Sequence, residues 1–159
     1  MISPNRRPPV LAVDDDPAIL EYYRKLLAPC EGDLDILGDF EATCEETPDL
    51  RCFRLPSELL DHCRRERARG GRFPLAILDM RMPEKNGLET AEELRRLDGD
   101  IHILLCTAFS DFRGEELRHR LDRRVHLIRK PFQAEEFTLL VHSLLRDWES
   151  KRSLAESEE

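Results

Sequence analysis

The residues of this chain best equipped for chemistry stand directly behind short apolar runs. Val10-Leu-Ala-Val13 leads into Asp14, Asp15 and Asp16. Leu75-Ala-Ile-Leu78 leads into Asp79, Ile101 to Cys106 into Thr107 and Ala108, and Val125 to Ile128 into Arg129-Lys130-Pro131. Leu75 to Leu78 is a short unbroken apolar run, which suits a central strand buried on both faces of a sheet. A carboxylate at the end of such a strand is costly to bury unless it is paired, hydrogen-bonded or metal-bound. Three adjacent carboxylates, moreover, repel one another without a cation. Several acids and one lysine together suit a magnesium site beside a nucleophile. Mg2+ takes one or two carboxylates and fills its octahedron with water and phosphate oxygens. Aspartate can attack phosphorus and hold the group as an acyl phosphate. The lysine and the metal would neutralise charge on the transferred oxygens. Thr107 offers a hydroxyl donor, and small Ala108 leaves room for its loop to close. The bland alternative is that Asp79 merely ends a strand and Asp14 to Asp16 form a solvated charge run.

Positioning these residues requires alternating elements. Asp16 before Pro17 reads as an N-cap with proline at the first helical position, and Ile19, Leu20, Tyr23, Leu26 and Leu27 follow at helical spacing. Arg51 to Leu55 alternates like an edge strand, and Ser57 is expected to cap a helix carrying Leu59, Leu60 and Cys63. A basic run from Arg64 to Arg72 surrounds Gly70-Gly71. After Asp79, Pro83 and Asn86-Gly87 supply turn chemistry. Leu88, Ala91, Leu94 and Leu97 then mark a helix closed by Asp98-Gly99. A weaker helix is expected from Ser110, anchored by Leu117 and Leu121. Phe137, Leu140, Val141, Leu144, Leu145 and Trp148 form a last helical stripe. Five strand–helix alternations predict an α/β fold, a doubly wound five-stranded parallel sheet with right-handed crossovers. In the order 2-1-3-4-5, strands 1, 3, 4 and 5 bring their carboxyl ends together.

A chain of 159 residues fits one domain. No apolar run approaches the roughly 18 residues of a membrane span, and no signal peptide is expected, which points to the cytoplasm. Five cysteines without a C-x-x-C pair read as reduced thiols. A net charge of −8 argues against nucleic acid as a partner of this segment. Residues 31–49 hold eight acids and no Lys or Arg. They read as a solvated insertion, since Leu37 and Cys44 stand where a calcium loop needs oxygen ligands.

Taken jointly, four motifs resemble the receiver domain of two-component response regulators. They are Val13-Asp-Asp-Asp-Pro17, Leu78-Asp-Met-Arg-Met-Pro83 with Asn86-Gly87, Thr107-Ala108, and Lys130-Pro131-Phe132. The resemblance covers residues 8–145 and implies a flavodoxin-like receiver fold. It implies that Asp79 is the phosphoacceptor, and that Asp14, Asp15, Asp79 and the Arg81 backbone carbonyl hold Mg2+. Thr107, Ala108 and Lys130 would contact the phosphoryl group, Arg81 and Phe109 would flank it, and the peptide before Pro131 would be cis. Phosphate would come from a sensor histidine kinase or phosphotransfer protein. The module would signal to an output domain in the same or another chain, and would not be a turnover enzyme.

This chain departs from the family pattern in two places. The span from Asp15 to Asp79 is longer than usual, which places the acidic insertion (about 31–50) between the first helix and the second strand. The switch position, usually aromatic, is Leu127. The stretch from Ile101 to Phe132 resembles receivers found in multidomain or hybrid signalling proteins. Two other readings remain open: a degenerate pseudo-receiver that only binds, and an aspartyl-phosphate phosphatase of haloacid-dehalogenase type. The latter would want Asp-x-Asp-Gly-Thr, whereas Pro17-Ala18 follows Asp16. Residues 146–159 read as a helical extension or linker. Its stripe through Trp148 and Ala155 predicts weak pairing with a second copy, despite Lys151 at a core place.

Overall fold

The computed structural model describes residues 9–28, 49–108 and 123–157, with side chains as far as Arg152. Its elements in chain order are β1 (Pro9–Val13), α1 (Pro17–Leu27), β2 (Asp49–Phe53), α2 (Pro56–Ala68), β3 (Leu75–Asp79), α3 (Gly87–Leu97), β4 (His102–Thr107), β5 (Val125–Arg129) and α4 (Ala134–Ser157). The strands form one sheet of order β2-β1-β3-β4-β5, parallel throughout. Residues 1–8 and the helix expected from Ser110 lie outside the described residues, as does the acidic insertion up to residue 48; its last two positions, Asp49 and Leu50, open β2.

Alternation along each strand sends side chains to two separate cores. On one face Leu11, Val13, Ala76, Leu78, Ile103 and Leu105 pack with Leu59, Leu60 and Cys63 of α2 and Leu88, Ala91 and Leu94 of α3. On the other, Val10, Ala12, Ile77, Leu104, Cys106 and Ile128 meet Leu20 and Tyr23 of α1 and Phe137, Val141 and Leu144 of α4. Because both faces are covered, the inner residues of β1, β3 and β4 are apolar without alternation, with β4 opening on the buried His102.

Local capping agrees with the sequence at α1, adds a cap at α3 where only a turn was expected, and corrects the expectation at α2. Asp16 Oδ1 accepts from the Ala18 N–H at 2.9 Å, ahead of Pro17. At α3 a capping box joins Asn86 and Glu89: the Asn86 side chain accepts from the Glu89 N–H at 2.8 Å, and Glu89 accepts from the Asn86 N–H at 3.2 Å. The α2 N-cap is Leu55, without a side-chain cap, and not Ser57. Pro56 is preset for the first helical position, so the helix starts before the serine. Ser57 Oγ instead donates to Glu84 at 2.9 Å and ties α2 to the loop after β3. The second strand is β2, Asp49–Phe53, two residues earlier than the expected Arg51 to Leu55. Leu55 and Pro56 are already committed to the start of α2.

The C-terminal stripe is spent largely within the chain. Phe137, Val141, Leu144 and Trp148 are buried, with Trp148 only 6% exposed, and the Arg152 guanidinium lies 4.8 Å from its ring centroid. No helix among the described residues is long and apolar enough to cross a membrane. Cys63 and Cys106 are buried free thiols and Cys52 is a half-buried one.

Candidate acidic site at the strand ends

Sheet register assembles the site. Val13 pairs with Leu78, so Asp14 and Asp79 leave adjacent strands at the same level. Asp79 pairs with Cys106 and Thr107 with Arg129. The ladder then continues as the Lys130 N–H donates to the Thr107 carbonyl at 2.8 Å. Four separate segments thereby deliver Asp14, Asp79, Thr107 and Lys130 to one edge.

Carboxylate oxygens of Asp14, Asp15 and Asp79 lie within 4.8 Å of one another. Lys130 Nζ donates to Asp79 Oδ1 at 2.8 Å and stands 3.5 Å from Asp14 Oδ2. Asp14 is buried (2% exposed) and Asp15 is exposed. The Asp16 N–H satisfies Asp14 Oδ1 at 2.9 Å, whereas Asp14 Oδ2 is buried with no hydrogen-bond partner. Burial pushes the Asp14 pKa up to about 6; the Asp16 N–H pulls it down and the Asp79 charge adds to the rise. Burial works against the Lys130 ammonium, but its hydrogen bond to Asp79 and the two carboxylates outweigh this and hold its pKa above the ordinary value.

Three carboxylates facing one ammonium leave an excess of two negative charges when all are ionised. An orphaned buried oxygen aimed into that excess fits a divalent cation with hard oxygen ligands. The Arg81 side chain is exposed. Thr107 is buried (7% exposed), Ala108 is exposed, and the Lys130–Pro131 peptide is cis. Leu127 on edge strand β5 is 41% exposed. Phe109 lies outside the described residues.

Three supporting features escaped the sequence reading. Gly87 was expected only as a turn residue, yet a Cβ there would stand 2.6 Å from the Asp79 carbonyl oxygen. The Gly87 N–H donates to the Met80 carbonyl at 2.9 Å, closing the loop against the strand end. Arg54, just beyond β2, donates from Nη2 to the Asp15 carbonyl at 3.3 Å. A charged residue at the carboxyl end of the neighbouring strand was the available signal. Behind Asp79, the Tyr23 hydroxyl donates to Cys106 Sγ at 3.3 Å, and burial pushes that thiol up to about 12, which leaves it unreactive.

Comparison with known proteins agrees with this fold. The family model "Response regulator receiver domain" matches residues 54–142, more than half of the chain. A curated relative, Response regulator MprA of Mycobacterium leprae (strain TN), is 28% identical over 141 residues, covering 86% of this chain and 50% of its own length. The chain thus spans about half the length of that relative. In fold it is similar to the crystal structure of adenylate cyclase from Rhodopirellula baltica (TM-score 0.72, 18% identity, 95% of this chain and 96% of that one). It is similar also to a CheY-like response regulator receiver domain protein from Methanospirillum hungatei JF-1 (TM-score 0.68, 19% identity, 92% and 99%). At these identities the two structures speak for the fold alone.

Proposed function

The chain belongs to the response regulator receiver family, and from that premise we propose that it is a phosphoacceptor module in which Asp79 takes a phosphoryl group from a histidine kinase or phosphotransfer protein. The observation that carries the reading is the Lys130–Asp79 contact of 2.8 Å inside a set of three carboxylates within 4.8 Å.

An Asp79 carboxylate oxygen forms the new bond to phosphorus as the donor's P–N bond breaks, and the imidazole departs with the electron pair. Asp14, Asp15, Asp79 and the Arg81 carbonyl would hold Mg2+. When bound, that ion supplies neutralising charge for the transferred oxygens. Lys130 exchanges its hydrogen bond with Asp79 for one with the phosphoryl group. The Thr107 hydroxyl donates to a second phosphoryl oxygen and so reports the modified state. With Leu127 at the switch position, the β5 edge presents an aliphatic side chain in place of a ring. The output belongs to a domain in the same or another chain, and we place the module in the cytoplasm. Pro17-Ala18 after Asp16, in place of Asp-x-Asp-Gly-Thr, argues against a turnover phosphatase of haloacid-dehalogenase type. The full complement of acids separates it from a pseudo-receiver.

The test is incubation with acetyl phosphate and Mg2+, followed by intact-mass measurement. One phosphoryl adduct is expected in the wild type and none in Asp79→Asn, with circular dichroism unchanged. An adduct that persists in the variant, or no adduct in the wild type, overturns the reading.

A further inference from the structure

We propose that the cavity between α4 and the amino ends of β4 and β5 binds a small molecule carrying phosphate groups. This cavity of about 640 Å³ is at the opposite end of the strands from Asp79. β4 alone, from His102 to Thr107, separates the two ends by roughly 15 Å at the rise of a strand. The volume is in the range of small-molecule sites, and its concave form suits a compact ligand better than a polymer backbone.

Charge identifies the ligand class. Arg123, Arg124 and Lys151 line the cavity against a single carboxylate, Asp147, in a chain of net charge −8. Asp147 is shared: it accepts from His102 Nε2 at 2.8 Å and faces Lys151 Nζ at 3.0 Å. Arg124 donates from Nη1 to the Gly99 carbonyl at 2.9 Å and its Nη2 stands 3.7 Å from Asp100 Oδ1, which fixes it at the rim and leaves the exposed Arg123 as the guanidinium to meet a ligand. Guanidinium groups pair with phosphate in a bidentate geometry, and Ser143 adds a hydroxyl donor. The same cations disfavour a metal ion, although two histidines and a carboxylate stand together.

The wall of this cavity is held in place beforehand. His102 is buried (3% exposed), and burial lowers its pKa while Asp147 opposes the shift. The carboxylate only accepts, so Nε2 of the neutral ring carries the proton. His102 Nδ1 must then accept from His126 Nε2–H, 3.2 Å away. This chain of two hydrogen bonds locks both rings and Asp147 across three elements. Fixed donors bind an anion without the cost of ordering them.

The experiment is titration of the full chain with inorganic pyrophosphate, without Mg2+ and at constant ionic strength. Calorimetry and the NMR signals of the His102 and His126 rings are read together. Saturable binding with shifts at both rings is expected, weakened at least tenfold in Arg123→Glu. That side chain is exposed, and the variant should still accept phosphate on Asp79 at the wild-type rate, which separates this inference from the phosphoacceptor reading. No saturation below about 1 mM, the weak end for a specific small-molecule site, overturns the proposal, as does equal affinity in Arg123→Glu. Binding to phosphatidic acid vesicles but not to pyrophosphate would overturn the assignment to a free ligand.

Discussion

Lys130 Nζ lies 2.8 Å from Asp79 Oδ1, joining the loop after edge strand β5 to the end of central strand β3. The pair is neither sealed nor loose: the lysine side chain is 29% exposed and the aspartate 13%. An ion pair so placed can open without disturbing either core, which is what a group that must change partners during phosphoryl transfer requires.

Replacing Lys130 by alanine should therefore leave the fold intact and slow adduct formation. Removing one donor aimed at developing charge costs roughly 100-fold in rate. An intact-mass time course with acetyl phosphate and Mg2+ reads this directly. Wild-type kinetics in Lys130→Ala would remove the lysine from the chemistry.

Asp14 predicts an inverted pH dependence of stability in metal-free protein. Its folded pKa, about 6, is above its ordinary 3.8, so the folded state binds the extra proton between these values. The contribution is fully present below about 3.8 and is lost as the pH rises through about 6. Asp14→Asn should abolish that dependence and stabilise the metal-free chain at pH 8 by up to about 3 kcal/mol, because a tenfold change in proton affinity is worth about 1.4 kcal/mol. Urea denaturation in EDTA at pH 5 and pH 8 compares the two. Equal pH slopes for wild type and variant would contradict the burial argument.

Gly87→Ala tests the close approach behind the nucleophile. The added methyl would meet the Asp79 carbonyl oxygen at 2.6 Å and the Met80 Cα at 3.0 Å, both backbone atoms. Overpacking of this kind costs about 1 to 3 kcal/mol, and here it also moves the acceptor. A lower denaturation midpoint together with weaker Mg2+ binding by calorimetry is expected. Loss of stability with unchanged Mg2+ affinity would confine the role of Gly87 to the turn.

The C-terminal helix offers a choice between internal packing and self-association. Because Trp148 is only 6% exposed in the single chain, truncation after Leu145 should destabilise the monomer by about 3 kcal/mol, the scale of losing a buried aromatic ring. Sedimentation of both forms at tens of micromolar, roughly the affinity of a weak interface, completes the test. A truncated chain of unchanged stability but reduced mass would assign the stripe to a seam between copies.

Sequence alone determined most of the described elements and which residues stand at their ends. The runs at Val10 and Leu75 state by their unbroken apolar character that both faces of their strands are covered, and Ile103 to Cys106 does the same behind His102. Asp16-Pro17 states where α1 begins, because capping depends on neighbours a few residues away, whereas Asn86-Gly87 was legible only as a turn. Tertiary structure decided what depends on pairing between distant segments. The pairing of Val13 with Leu78 and of Asp79 with Cys106 sets Asp14 level with Asp79. Continuation of the β4–β5 ladder then carries Lys130 onto the acceptor. No local pattern encodes that register, since a strand's side-chain period is the same wherever its partner begins. The link from His102 to Asp147, 2.8 Å across 45 residues, and the closeness of Gly87 to the Asp79 carbonyl were hidden for the same reason. Each exists only once helix and strand have been brought together by the burial of apolar side chains elsewhere.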